Sequence, residues 1–370
     1  MRYLITLFIL LILRWGAIAQ TDSFIVDAVY RNYTVHLPNS YTTGTHYPLV
    51  LNLHGYTSNA FQQELYTGMD ATADSNHFIV VYPNGIANYW NSFGVGANDV
   101  KFLRELIDTI SAHYSVNSRR VYSCGMSNGG YMSYTLACAL STKIAAIASV
   151  AGVMSLNTHA TCNPARKMPV MHIHGTTDPT VNYNTGAPNS VGVEQTLTYW
   201  RDTDQCSTVI DTTALPNTNT ADSTTVQLIV NRHCAPQKEV RFYKIANGGH
   251  TWPNGVINIP NYGNTNRDFD ASQEIWNFFN RFQLDSLGTT SVAVVAPENQ
   301  LSIYPNPAEN IVHINTERTL QWVAIKDLMG REVATYSATK TLDISNLQAG
   351  VYILQAMTEG GKTSSFRFVK

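Results

Sequence analysis

Gly125-Met126-Ser127-Asn128-Gly129-Gly130 stands between a strand-like run, Arg120-Val121-Tyr122-Ser123-Cys124, and a run from Tyr131 to Leu140 whose apolar residues have helical spacing. A G-x-S-x-G turn that joins strand to helix forces its serine into a strained, exposed backbone position, and the flanking glycines leave room for the bend. The feature constrains the chain to a strand-turn-helix unit with Ser127 at its apex as a candidate nucleophile. The pentapeptide alone is weak, because serine sits between glycines in many ordinary turns.

Three further segments strengthen it. Leu49-Val50-Leu51-Asn52-Leu53-His54-Gly55-Tyr56 is an apolar run ending at a turn upstream of the serine. Acyl transfer needs donors aimed at the developing oxyanion: the amide after the nucleophile, here Asn128, paired with one from this earlier loop, Tyr56 or Thr57. His54 reads as a loop-orienting residue. Pro169-Val170-Met171-His172-Ile173-His174-Gly175 is again a strand leading into a loop, with Asp178 just past its end as the candidate triad acid. Val240-Arg241-Phe242-Tyr243-Lys244-Ile245 is followed by Gly248-Gly249-His250-Thr251-Trp252-Pro253, where the paired glycines let a loop carry His250, the candidate base, over the sheet edge.

The order Ser127, Asp178, His250 is that of α/β hydrolases, and it requires no rearrangement of the strands just named. His172, His174, Asp178 and His250 also suggest a metal cluster, since residues two apart on a strand share a face. That alternative leaves the serine turn unexplained, so the expectation is no metal and no organic cofactor.

Arg2, the apolar Leu4 to Leu13 and the small-x-small Ala17-Ile18-Ala19 read as a signal peptide over 1–19, with no later run long enough to span a membrane. Lys plus Arg number 24 against 26 Asp plus Glu without a basic cluster, which argues against nucleic acid as a partner. Export permits disulfides, and five cysteines leave one unpaired. Cys124, under the serine turn, is the expected free thiol; Cys138 with Cys162 and Cys206 with Cys234 are the expected pairs, although sequence alone does not settle connectivity.

Residues 20–285 alternate strands with helices, which argues an α/β unit with a mostly parallel sheet covered on both faces. Phe78 to Tyr82 reads as a buried strand. Asp99 reads as the N-cap of an amphipathic helix carrying Leu103, Leu106, Ile107 and Ile110, and Ala271 to Phe282 as a last helix with Trp276, Phe278 and Phe279 in the core. Residues 286–300 shift to Thr, Ser, Val, Ala and Pro and read as a linker. Residues 301–370 contain six short alternating runs separated by turn signals, a small C-terminal β-sandwich without a catalytic constellation.

With these loops placed, the span from Phe24 to Phe282 resembles the polyhydroxybutyrate depolymerase-like (LpqC-type) esterases, a group that includes carbohydrate esterase family 1 feruloyl and acetylxylan esterases. The resemblance rests on His54-Gly55, Val81-Tyr82-Pro83-Asn84-Gly85, Asp99-Val100 with Phe102, Gly125 to Gly130, His174-Gly175 with Asp178, and Gly248 to Pro253. It implies the same Ser127, Asp178, His250 triad. Tyr56-Thr57-Ser58 departs from the cysteine and glutamine that many members carry. The chain end resembles a type IX secretion C-terminal sorting domain through Ile303-Tyr304-Pro305-Asn306-Pro307, Val323 to Val333 and Leu347 to Tyr352. That resemblance implies the secretion machinery as a partner, passage across the outer membrane, and removal of this domain.

The resulting expectation is a secreted, monomeric serine carboxylesterase that cleaves feruloyl or acetyl esters of plant polysaccharide. Tyr89, Trp90 and Trp252 are candidates to line an aromatic acyl or sugar site. A polyester depolymerase with the same triad, or a catalytically silent binding protein, are the alternatives.

Overall fold

The computed structural model describes residues 20–257, 261–284, 302–316, 318–327, 330–359 and 363–370. The expected signal peptide and linker lie outside the described residues, as do Leu328 and Met329 of one expected turn. Two compact units form, Met1–Leu287 and Gly288–Lys370.

Among its described residues the first unit is built on ten strands: β1 (Gln20–Val26), β2 (Val29–His36), β3 (Tyr47–Leu53), β4 (Ile79–Pro83), β5 (Val116–Met126), β6 (Ala146–Val150), β7 (Val170–Gly175), β8 (Asp211–Ala214), β9 (Thr225–Asn231) and β10 (Val240–Ala246). They form one sheet in the order β1-β2-β4-β3-β5-β6-β7-β10-β9-β8. The six strands from β4 to β10 are parallel, and the two outer strands at each edge are antiparallel additions. Helices α1 (Ala60–Thr67), α2 (Met69–Asn76), α3 (Asp99–His113), α4 (Asn128–Ala139), α5 (Leu156–Thr161), α6 (Val193–Thr203) and α7 (Ala271–Phe279) connect or cover the strands.

Continuous apolar runs such as Leu49-Val50-Leu51 make sense in this sheet because successive side chains enter opposite layers. Leu49, Leu51, Ile79 and Val81 pack with α3, α4 and α6 residues such as Phe102, Met132 and Trp200. Val50, Val80 and Tyr82 pack with α1, α2 and α7 residues such as Tyr66, Ala73 and Phe278. The parallel block therefore lies between two filled cores, and the loops that carry the candidate site residues leave its carboxyl edge.

Two expectations change in detail. The cap of α3 is Asn98, whose side chain accepts from Lys101 N–H, rather than Asp99. Asp99 is wholly buried; Oδ1 pairs with Arg31 at 2.5 Å and Oδ2 accepts Asn91 N–H at 2.7 Å. The Arg31 guanidinium also lies 3.8 Å over the Phe102 ring. A carboxylate one residue inside the helix thus closes a buried ion pair that ties β2 and the loop before α3 to the helix. α7 ends at Phe279, and Phe282 follows in a turn where its carbonyl accepts the Tyr122 hydroxyl at 2.6 Å.

Sulfur bridges join Cys138 to Cys162 and Cys206 to Cys234, while Cys124 is free and buried. Burial alone pushes the Cys124 thiol far up, so it is held as the neutral thiol.

Among its described residues the second unit has seven strands: β11 (Ser302–Tyr304), β12 (Ile311–Asn315), β13 (Leu320–Lys326), β14 (Glu332–Ser337), β15 (Thr341–Asp343), β16 (Val351–Thr358) and β17 (Thr363–Val369). A three-stranded sheet, β11-β12-β15, and a four-stranded sheet, β14-β13-β16-β17, are both antiparallel. Val312, Ile314 and Leu342 of the first share a core with Val323, Ile325, Leu354 and Phe368 of the second. This is the small β-sandwich, with β15 as a strand that the sequence pattern did not mark.

Candidate active site

β5 ends at Met126 and α4 starts at Asn128, so Ser127 alone makes the turn between them. Its φ of 53° and ψ of −118° lie where non-glycine residues are rarely found, a strain on the order of 1–3 kcal/mol that persists only if its surroundings enforce it. They do: Ser127 N–H donates to Val150 O at 2.8 Å and its carbonyl accepts Tyr131 N–H at 3.0 Å. A Cβ on Gly125 would lie 2.6 Å from Leu53 O, and one on Gly129 2.1 Å from the same atom. The glycines therefore allow the first turn of α4 to touch the end of β3.

That contact brings the loop after β3 to the serine. A Cβ on Gly55 would sit 3.6 Å from Ser127 Cβ. Thr57 N–H is taken by Asn88 O at 2.9 Å, which leaves Tyr56 N–H as the one of the two expected loop donors without a recorded backbone partner among the described residues. Asn128 N–H is at the first position of α4, where helix geometry supplies no carbonyl for it. The two amides expected to stabilise an oxyanion thus come from the loop after β3 and from the first residue of α4, directly after Ser127.

His54 braces this loop. Its Nε2 accepts Gly85 N–H at 3.0 Å, so Nδ1 carries the proton and donates to Gly55 O at 2.7 Å. Burial pulls its pKa down to about 4, which keeps the ring neutral. Trp90, expected as a substrate surface, is instead wholly buried behind the loop, where its Nε1–H donates to His54 O at 3.0 Å. The Asn128 side chain clamps the same segment: its Oδ1 accepts Trp90 N–H at 2.6 Å and its Nδ2 donates to Trp90 O at 3.0 Å. Trp252 is also fully buried and donates to Ser272 Oγ at 3.2 Å. Neither indole can offer a face to a ligand. Tyr89 is half-buried and meets Tyr56 edge to face at 5.9 Å.

Asp178 follows β7 and His250 follows β10, which are paired neighbours in the sheet. Gly175 and Gly248 permit their loops to touch, for a Cβ on Gly175 would lie 2.1 Å from Gly248 O. His250 Nδ1 then lies 2.7 Å from Asp178 Oδ2, with both side chains buried. Asp178 Oδ1 accepts the N–H groups of Thr180 and Val181, each at 2.8 Å, so the carboxylate is fixed in orientation. A carboxylate that accepts from Nδ1–H leaves Nε2 of the imidazole as the basic nitrogen. Ser127 and His250 both line a cavity of about 440 Å³, together with Gly55, Tyr56, Tyr66 and Tyr262. Tyr262 stacks on the His250 ring with centroids 5.6 Å apart.

Tyr66 and Tyr262 are the aromatic wall that sequence reasoning did not find. Tyr66 sits on a helix with little amphipathic pattern and Tyr262 in an irregular loop twelve residues past His250, so periodicity gave no signal for either.

Comparison with known proteins agrees with this architecture. Residues 93–207 match the phospholipase/carboxylesterase family and residues 302–370 the secretion system C-terminal sorting domain. A bifunctional acetylxylan esterase/xylanase of Neocallimastix patriciarum is 28% identical over 256 residues, which is 69% of this chain and 34% of that protein. Feruloyl esterase B of Piromyces equi is 28% identical over 246 residues, 61% of this chain and 44% of that protein. The chain thus spans less than half the length of these two relatives. An acetyl xylan esterase structure from Aspergillus awamori superposes with a TM-score of 0.52 at 13% identity, covering 71% of this chain and 99% of that one, and so shares the fold. The chain therefore carries an α/β-hydrolase domain with a match to the phospholipase/carboxylesterase family, followed by a secretion system C-terminal sorting domain.

Proposed function

We propose that the first unit is an exported serine carboxylesterase acting on feruloyl or acetyl esters of plant polysaccharide. The observation that carries this reading is the 2.7 Å contact of His250 Nδ1 with Asp178 Oδ2, beside a cavity that His250 shares with the strained Ser127. In the proposed cycle His250 Nε2 takes the Ser127 hydroxyl proton as Oγ attacks the acyl carbonyl, and the Tyr56 and Asn128 amides receive the oxyanion. His250 then protonates the departing alkoxide, and water releases the acyl group by the same steps in reverse. Asp178 holds the tautomer and stabilises the imidazolium.

Two features favour a polysaccharide ester. The cavity wall of Tyr56, Tyr66 and Tyr262 suits a flat phenolic acyl group. A wider groove of about 930 Å³ borders the Asp178 loop through Thr177 and Pro179; its lining combines the amides and hydroxyls of Asn219, Asn264 and Thr265 with the charged Asp222 and Arg267, a polar surface that can hydrogen-bond sugar hydroxyls. Ser127→Ala tests the reading: the folded variant should lose ester turnover by several orders of magnitude, on the order of the 10⁶ seen when a triad nucleophile is removed. Retention of more than about a tenth of the activity would reject the triad, since its members act as one unit.

A further inference from the structure

Behind the acid lies a row of buried groups that the proposed cycle leaves unused. His172 and His174 are two apart on β7, so both rings enter the same layer, and both are essentially inaccessible. Tyr134 Oη lies 2.8 Å from His172 Nδ1, His172 Nε2 lies 3.2 Å from His174 Nδ1, and His174 Nε2 lies 2.8 Å from Val181 O and 3.4 Å from Asp178 Oδ2. Tyr134 is on α4, the helix that Ser127 opens, so the row connects the nucleophile's helix to the acid's loop.

One atom settles every proton in the row. A carbonyl can only accept, so the nitrogen facing Val181 O, His174 Nε2, carries hydrogen. Burial disfavours the charged ring at both histidines, which leaves each with one proton. His174 Nδ1 is then an acceptor, and the hydrogen between the two rings must belong to His172 Nε2. His172 Nδ1 is in turn an acceptor, filled by the Tyr134 hydroxyl. All three donors point the same way, toward the Asp178 loop, and donors aligned in sequence polarise one another.

We infer that His174, oriented by His172 and Tyr134, is a positioning residue for the triad acid. Its Nε2–H anchors the Val181 carbonyl and leans toward Asp178 Oδ2, while Val181 N–H holds Asp178 Oδ1. The Asp178–Val181 turn is thereby pinned from both its carbonyl and its amide side, and Oδ2 is kept in line with His250 Nδ1. His174 touches no substrate, since the cavity at Ser127 does not include it.

The inference rests on Ser127, Asp178 and His250 acting as a triad, and its test separates the two. In His174→Leu, which keeps bulk and removes the donor, kcat on a soluble ester should fall about ten- to a hundredfold with KM within about twofold, the size expected when a remote change misplaces a reacting group. His174→Gln places an amide N–H near the Nε2 position and should recover most of that loss. A folded His174→Leu variant with wild-type kcat, a loss confined to KM, or a Gln variant no better than Leu overturns the inference. If Ser127→Ala is also active, the triad itself has failed. A readout free of variant folding is ¹⁵N NMR of the wild-type histidines at pH 7. His172 and His174 should both appear as neutral Nε2–H tautomers, in contrast to His54 as Nδ1–H; either ring found charged or as Nδ1–H overturns the proposal.

Discussion

Gly129 approaches Leu53 so closely that a Cβ on it would stand 2.1 Å from the Leu53 carbonyl oxygen and 2.6 Å from its carbon. Both are backbone atoms at the buried carboxyl end of β3, a central strand of the sheet, so neither can move without shifting β3 or α4. The contact sets the spacing between the Asn128 amide and the loop that carries Tyr56.

Gly129→Ala is therefore expected to act on stability and chemistry together. Overpacking of this kind costs about 1–3 kcal/mol, visible as a lower urea midpoint with an unchanged m-value. Ester turnover should drop further than stability accounts for, because the two amides proposed as oxyanion donors would separate. An alanine variant with wild-type kcat and midpoint would show that β3 and α4 can part freely, contrary to the packing seen.

Asp99 gives a second expectation, and magnitude distinguishes its two readings. A lost N-cap typically costs about 1 kcal/mol, whereas a buried charge stripped of its partner costs about 3–5 kcal/mol. Arg31 is 3% exposed, so Asp99→Ala leaves an uncompensated buried guanidinium. Chemical denaturation should return the larger figure. Asn98→Ala should return the smaller one.

How far the sequence carried the site follows from what is local in it. Ser127, Asp178 and His250 each stand just beyond an apolar strand, and a parallel sheet brings such positions to one edge; the structure pairs Asp178 with His250 and opens Ser127 and His250 to one cavity. Direction of a side chain is not local. Trp90 and Trp252 stand in loops beside the site, yet both rings turn inward because an indole N–H there finds a buried acceptor. Arg31 meets Asp99 across 68 residues, and no pattern of either neighbourhood shows the other. β15 buries only Leu342 of its three residues, too short a stretch for alternation to register.

Stability should also vary with pH through Asp204. This carboxyl is buried after α6; Oδ1 accepts Met168 N–H at 2.9 Å and Oδ2 has no hydrogen-bond partner among the described residues. Burial raises its pKa to about 7 against the opposing pull of Lys238, Lys167 and Arg166. In the unfolded chain it titrates near 3.8. Because the folded value is the higher, the contribution is fully present below pH 4 and is lost as pH rises toward 7. Asp204→Asn should raise stability at pH 8 by up to about 4 kcal/mol, at about 1.4 kcal/mol per pKa unit, and change little at pH 4. Equal effects at the two pH values would place the ionised form in the native protein throughout.

The acyl preference is the last expectation, and Tyr262 is its most direct handle. Its ring stacks on His250 and 37% of it remains exposed at the cavity, beside Tyr56, Leu65 and Ile257. An aromatic acyl group gains offset stacking on such a wall, worth about 0.5–1.5 kcal/mol beyond area burial, while an acetyl group is too small to reach it. Tyr262→Ala should therefore raise KM for methyl ferulate about three- to tenfold and leave turnover of acetylated xylan within about twofold, since 1.4 kcal/mol is a factor of ten. Solid polyhydroxybutyrate should be a poor substrate for the first unit, because attack on a crystalline polyester calls for an adsorbing surface, and the second unit matches a sorting domain. All three substrates can be compared with one purified enzyme. Faster release from polymer film than from methyl ferulate and acetylated xylan, with Tyr262→Ala equally impaired on all three, would turn the cavity wall into a polyester site.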